Sequence, residues 1–530
     1  MTEPSGVAVQ GAELIAEAMA GFGITHVFSN PGSTEAAVVA AIGARRGMEQ
    51  VLCLVEGVAA GAADGFFRST GRPAATLLHL GPGLANAFSN LHNARRAASG
   101  VLNLVGDHLS WHKEADSPLE TDIRALAGAA SSSVGVFALD SEGVAALVKA
   151  CAVAVAGGVA TLLMPHDATL GLVSAALRSE CAALIRSVAS ARDPKVLPER
   201  DAQYVAEAIR AGRCVGFLLG GSALRSPTVE HAGRLLEAGL RAYAETSPAC
   251  WTRGRELPDL HQLAFDTDIA REQLADLELL VLCGARAPVA FFGDRAALSS
   301  SLMPPGCEAV ELGTDLQAIC ASLPIPARHS ASGNRRRIRA SLSAEGPGLS
   351  PEEFALTFAE ALPDSSIVID EGITAGRGFA AASVNAATHD FMTLTGGALG
   401  QGIPLGIGVA IGTALGGVRR PVYCLAGDGS AMYSFQGLWT QSEMGLDITT
   451  LVLNNRGYAT LESAMKLERS TRGDLTRPAD AFAVTGIHWT DLARGFGVPS
   501  VSVRRPEELK EALAMAGPNG PRLIEVQMRR

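Results

Sequence analysis

The chain has no surplus of positive charge. Its 530 residues carry 44 Lys and Arg against 54 Asp and Glu, a formal net charge of −10. No basic field is present to hold a nucleic acid or an anionic membrane. A secretory leader is not expected either: MTEPSGVAVQGAELIAEAMAG has no basic start followed by an apolar run. The nine cysteines form no Cys-x-x-Cys pair and show no zinc spacing with His. They read as reduced, mostly buried thiols of a cytoplasmic protein. No short-period repeat exists, which argues against a solenoid. Residues 394–418 carry no charge over 25 positions, but nine are Gly and Pro404 interrupts them. A Gly-rich loop leading into a fully buried helix explains that stretch better than a membrane span.

What is present points to a large globular protein. Apolar residues make up 48% and charged ones 18%, and the length suits about three domains at ~150 residues each. The 58 glycines exceed the usual ~7% and suggest tight turns or close backbone–ligand approach. Short apolar runs alternate with Ala-rich helical stretches, at 50–55, 74–78, 101–105, 214–219, 279–282, 366–369, 422–425 and 449–453. That alternation predicts an α/β protein of mostly parallel sheets flanked by helices. Linker-like composition at 187–199 and 324–351 divides it into 1–186, 187–345 and 346–530.

The sharpest signal lies in the last third. The strand 422–425 runs into Gly427-Asp428-Gly429-Ser430, a helical stretch follows over 435–444, and the strand 449–453 ends at Asn454-Asn455. In a parallel βαβ unit both strand ends lie on one sheet edge, so Asp428 and Asn455 can converge. A carboxylate and an amide oxygen are hard ligands that suit Mg²⁺ beside phosphate oxygens. Gly429 would let the backbone approach a diphosphate, and Ser430 opens a helix whose N-terminus favours an anion. Each motif alone is an ordinary turn or strand end. Together, with 24 residues between Gly429 and Asn454, they resemble the signature of thiamin-diphosphate enzymes.

That resemblance implies further residues. Mg²⁺ would be held by Asp428, Asn455 and the main-chain carbonyl of Gly457. A glutamate at a strand end would bond the cofactor's aminopyrimidine; Glu56, after the strand 50–55 and before a small-residue helix, fits. Read alone, Glu56 is as well a helix N-terminal acid stabilised by the dipole, or a lone carboxyl whose apolar setting raises its pKa. Thr374 and the backbone after the strand 366–369 would touch the diphosphate. Leu399 would wedge beneath the cofactor and the Gly397 carbonyl would accept from its 4′-amino group, although Leu399 also reads as a core leucine.

Asn30-Pro31-Gly32-Ser33-Thr34-Glu35 and Leu78-His79-Leu80-Gly81-Pro82-Gly83 resemble benzoylformate decarboxylase, where the Ser and the His face the substrate. Gly81-Pro82-Gly83 and 287–292 resemble acetolactate-synthase large subunits. Where a second His is expected, the chain reads Phe291-Phe292-Gly293-Asp294.

The resemblance implies three domains: pyrimidine-binding (1–186), Rossmann-like middle (187–345) and diphosphate/Mg-binding (346–530). It implies thiamin diphosphate and Mg²⁺, with FAD open but not favoured. The implied activity is decarboxylation of a 2-oxo acid and transfer of the acyl unit to an acceptor aldehyde or second 2-oxo acid, with Glu56, His79 and Ser33 catalytic. A simple benzoylformate-type decarboxylase is the alternative; an acyl-CoA lyase and a non-catalytic paralogue stand behind it. The resemblance also implies a homodimer or homotetramer with active sites between subunits.

Overall fold

The computed structural model describes residues 9–190, 197–294, 299–325, 347–417, 419–462, 464–465, 481–515 and 520–529. Three mostly parallel sheets carry it. The first has six strands in the order Glu49–Leu52, His26–Asn30, Ala74–Leu78, Val101–Asp107, Val159–Pro165, Ser133–Val136. Its inner strands are buried along their length, which is why they read as unbroken apolar runs rather than alternating ones. The expected strand 50–55 stops at Leu52. It lies at the sheet edge, and Leu52 and Leu54 are half exposed, so an apolar run alone does not extend the pairing.

The middle sheet runs His261–Gln262, Arg241–Ala244, Val215–Leu219, Leu279–Cys283, Glu308–Glu311. Numbered along the chain that is 3-2-1-4-5, the Rossmann order. The third sheet has seven strands: Trp251–Arg253, His389–Thr393, Ser366–Glu371, Val422–Gly427, Ile448–Asn454, Arg522–Gln527, Ser500–Val503. Its last six repeat the strand order of the first sheet. Trp251–Arg253 comes from the middle stretch and pairs antiparallel to His389–Thr393.

The helix Ala175–Ser190 runs into the expected linker 187–199, of which 191–196 fall outside the described residues; most of 324–351 does as well. Residues 394–401 form a loop and Gly402–Ala414 a largely buried helix, as read from the sequence. No described helix is long and apolar enough to cross a membrane. All nine cysteines are free, seven of them buried.

Candidate active site

Three helices frame the site: α1 (Glu56–Thr70), α2 (Leu80–Arg96) and α3 (Gly402–Ala414). Parallel neighbours His26–Asn30 and Ala74–Leu78 end level, Asn30 beside Leu78. The turn Ser33–Glu35 and His79 therefore share one sheet edge. Ser33 is exposed. Glu35, quoted in the motif but given no role there, is fully buried. Its carboxyl accepts from Gly32 N–H at 2.7 Å, Thr34 Oγ1 at 2.6 Å and His79 Nδ1 at 2.9 Å. With its proton on Nδ1, the His79 ring supplies the third hydrogen bond to this carboxyl. The signal in the sequence was the Gly32-x-x-Glu35 capping spacing; the partner, 44 residues away, left none.

Glu56 is the first residue of α1, 8% exposed. It is not a lone carboxyl in an apolar setting: Asn86 Nδ2 donates to its Oε2 at 3.2 Å. A Cβ on Gly83 would stand 3.2 Å from Glu56 Oε1 and 3.6 Å from His79 Cβ. The two side chains thus flank one bare glycine.

The loop 394–401 is held from both sides. On the α2 side, His92 Nε2 meets the Gly396 carbonyl at 3.1 Å, Asn93 Nδ2 donates to Ala398 O at 2.8 Å, and Asn90 Nδ2 donates to Gly400 O at 3.2 Å. On the other side, the buried Glu371 carboxyl accepts from the N–H groups of Gly400, Gln401 and Gly402. Burial pushes that carboxyl up to about 7 against the pull of these donors. Gly397 is exposed with φ +77, and Leu399 is half-buried and belongs to no core cluster, unlike an ordinary core leucine. A Cβ on Gly397 would meet the Phe291 ring at 3.0 Å. Phe291 packs against Phe265 and Phe292, ring centroids 4.8 and 4.7 Å away, and all three are more than half exposed.

Asp428 opens a short helical turn, Asp428–Ala431, with Ser430 inside it; the next helix is Gly437–Glu443. Asp428 Oδ2 and Asn455 Oδ1 both accept the Gly457 N–H, each at 3.1 Å. Asp428 Oδ1 holds Gly429 N–H at 2.7 Å. The strand ends thus bring Asp428, Asn455 and Gly457 together. A Cβ on Gly429 would lie 2.4 Å from the Tyr458 ring. Thr374 is half-buried in the turn Ile373–Gly376, and the Gly372 carbonyl before it lies near the bare face of Gly427. No group of three or more His, Cys, Asp or Glu suited to a metal exists among the described residues. The set here is a carboxylate, an amide and a carbonyl, all hard oxygens, and that chemistry fits Mg²⁺ with a diphosphate.

The two halves meet in one chain. Asn90 Nδ2 donates to both Gly57 O and Gly400 O, and Thr440 Oγ1 donates to Leu52 O. A Cβ on Gly400 would touch Tyr433, five residues beyond Asp428. Asn90 thus ties the start of α1 to the loop 394–401, and that loop meets Tyr433 beyond the Asp428 turn.

The family models for the N-terminal and C-terminal TPP-binding domains of thiamine pyrophosphate enzymes match residues 9–128 and 375–526. The chain belongs to the thiamine pyrophosphate enzymes. Its similarity extends over the whole length. It is 38% identical to a Mycobacterium tuberculosis protein, IlvX, named only provisionally as an acetolactate synthase large subunit, over 98% of this chain and 99% of that one. It is 27% identical to benzoylformate decarboxylase of Pseudomonas aeruginosa, over 95% and 96%. The thiamine diphosphate-dependent 4-hydroxybenzoylformate decarboxylase of Rhodococcus jostii RHA1 has the same fold, with TM-score 0.82 at 21% identity over 98% and 99% of the two chains.

Proposed function

We propose that this thiamine pyrophosphate enzyme removes CO₂ from a 2-oxo acid and passes the acyl unit to an acceptor carbonyl. The acceptor would be an aldehyde or a second 2-oxo acid. Asp428, Asn455 and the Gly457 carbonyl would hold Mg²⁺; Thr374, Gly429 and Ser430 would face the diphosphate. Glu56 would share its proton with the aminopyrimidine, Gly397 would accept from the 4′-amino group, and Leu399 would support the ring pair. When bound, the cofactor supplies the carbon that attacks the 2-oxo group and the sink for the electron pair that CO₂ leaves. Ser33 would orient the substrate carboxylate, and His79, its Nδ1–H on Glu35, would move protons through Nε2.

The observation that carries the reading is Phe291. An apolar ring, not a proton donor, stands against Gly397. Slow protonation leaves the acyl unit time to meet an acceptor. Incubating the holoenzyme with pyruvate, and separately with benzoylformate plus acetaldehyde, should give 2-hydroxyketone or acetohydroxy acid beside aldehyde. Aldehyde alone at every acceptor concentration would refute it. The second reading, simple benzoylformate-type decarboxylation, draws on the Glu35–His79 pair beside the exposed Ser33, a ready proton source.

A bound flavin is disfavoured by the middle sheet. Glu245, half-buried, closes on Gly220, whose Cβ would stand 2.8 Å from Glu245 Oε1. The crossover after Val215–Leu219 begins with short 3₁₀ turns, Gly221–Leu224 and Thr228–His231, not an α-helix N-terminus. We also propose the three-unit division at 187 and 345. Nine unpaired thiols support a reducing, cytoplasmic setting. A homodimer or homotetramer is proposed from the family resemblance, to be checked by light scattering. The contacts of α1 with α3 do not themselves require a second copy.

A further inference from the structure

We propose that Asn93 is a positioning residue that aims the Gly397 carbonyl at the cofactor's 4′-amino group; this rests on the placement of the aminopyrimidine at Gly397 given above. The carbonyls of Gly396, Ala398 and Gly400 are taken by His92, Asn93 and Asn90 of α2. The Gly397 carbonyl is not among them. Asn93 Oδ1 accepts the Ala398 N–H at 3.3 Å. That N–H and the Gly397 C=O belong to one peptide plane, and in a trans peptide they point opposite ways. Holding the N–H toward α2 therefore turns the carbonyl away from α2.

Asn93 can do this because it cannot turn. Its side chain is fully buried. Nδ2 donates to Ala398 O and, at 3.1 Å, to Asn90 Oδ1. A flipped amide would set oxygen against two oxygens and nitrogen against an N–H, leaving buried polar groups unpaired. Its main-chain carbonyl is tied as well, accepting from Thr395 Oγ1 at 2.8 Å. Gly397 contributes the left-handed φ of +77, open to glycine without strain, and a bare face toward Phe291. The carbonyl is aimed before the cofactor arrives, so little reorganisation is needed on binding.

The test separates aiming from folding. Calorimetry with Mg²⁺ would give the Kd of thiamin diphosphate and of its 4′-deamino analogue. Wild type should prefer the amino compound by about tenfold, the scale of one well-made hydrogen bond. In Asn93→Ala the preference should fall below about threefold, with the analogue bound as in wild type. His92→Ala, which frees only the Gly396 carbonyl, should keep the preference. Equal weakening of both compounds by Asn93→Ala, preference intact, would overturn the inference while leaving the proposed function standing. Asn93→Asp, kept protonated by burial against two oxygens, still donates to Ala398 O and accepts the Ala398 N–H, and it covers a variant that fails to fold. It should retain the preference, and loss of preference there overturns the proposal. Wild type that binds neither compound would overturn the cofactor placement itself.

Discussion

Glu35 shows how far a single buried acid determines what a histidine can do. His79 alone is an imidazole at a strand end; with its Nδ1 on Glu35 at 2.9 Å it becomes a group of fixed tautomer. Glu35→Gln keeps the volume but replaces one of the two oxygens that accept from Gly32, Thr34 and His79 with an NH₂ group. kcat/KM for CO₂ release should fall on the order of 10²-fold, the scale of general acid–base catalysis. Steady-state kinetics on both forms check this, and an unchanged kcat/KM would reduce Glu35 to packing. Asp428 and Asn455 were legible in the sequence because each ends a buried strand at a telling spacing. Glu35 and Asn93 were not, since their roles depend on partners 44 and 305 residues away.

Elements were more legible than their contacts. Buried parallel strands announce themselves as unbroken apolar runs, and the inner strands fall where the runs do. The seam between α1 and α3 does not announce itself. Its cause is a set of glycines: a Cβ on Gly65 would lie 2.0 Å from Leu405 O, and one on Gly408 would lie 1.8 Å from Ala62 O and 2.5 Å from Phe66 N. These are backbone atoms, so the helices would have to part. The seam also carries the buried Asp64–Arg68 pair. From it Arg68 reaches Thr393 O at 2.9 Å and Thr395 Oγ1 at 2.8 Å, and Gln401 Nε2 reaches Asp64 at 2.7 Å. Spacing of the helices and placement of the loop are thus one matter. Gly408→Ala should cost about 1–3 kcal/mol by overpacking, read as a lower melting temperature, and should weaken cofactor binding with it. Gly128→Ala is the control. It lies in Ile123–Ala130 with nothing within 4 Å of its Cβ, and should be neutral or stabilising by about 0.5–1 kcal/mol.

At the scale of the molecule, the first and third sheets share one strand order, although no repeat is visible in the sequence. Apolar strand positions tolerate many residues, so the same topology leaves little common text. Likewise Trp251–Arg253 gives no sign of belonging to the third sheet. Its place is set by pairing with His389–Thr393 and by the buried Arg253 guanidinium, 4.0 Å over the Trp251 ring. The proposed site draws on both halves, with Glu56 and His79 at the first sheet's edge and Asp428 and Asn455 at the third's. A cofactor held by these residues would bind the folded chain and not the unfolded one, so it should raise the melting temperature. At a hundredfold excess over Kd the gain is about 2.7 kcal/mol. Thiamin diphosphate with Mg²⁺ should give this shift, and chelating the metal should remove most of it. Asp428→Ala should abolish it while the unliganded melting temperature moves much less, because the diphosphate charge has lost its bridging cation. Calorimetric scans of both proteins, with and without cofactor, decide the matter. A wild-type shift persisting in Asp428→Ala would remove Asp428 from the metal site.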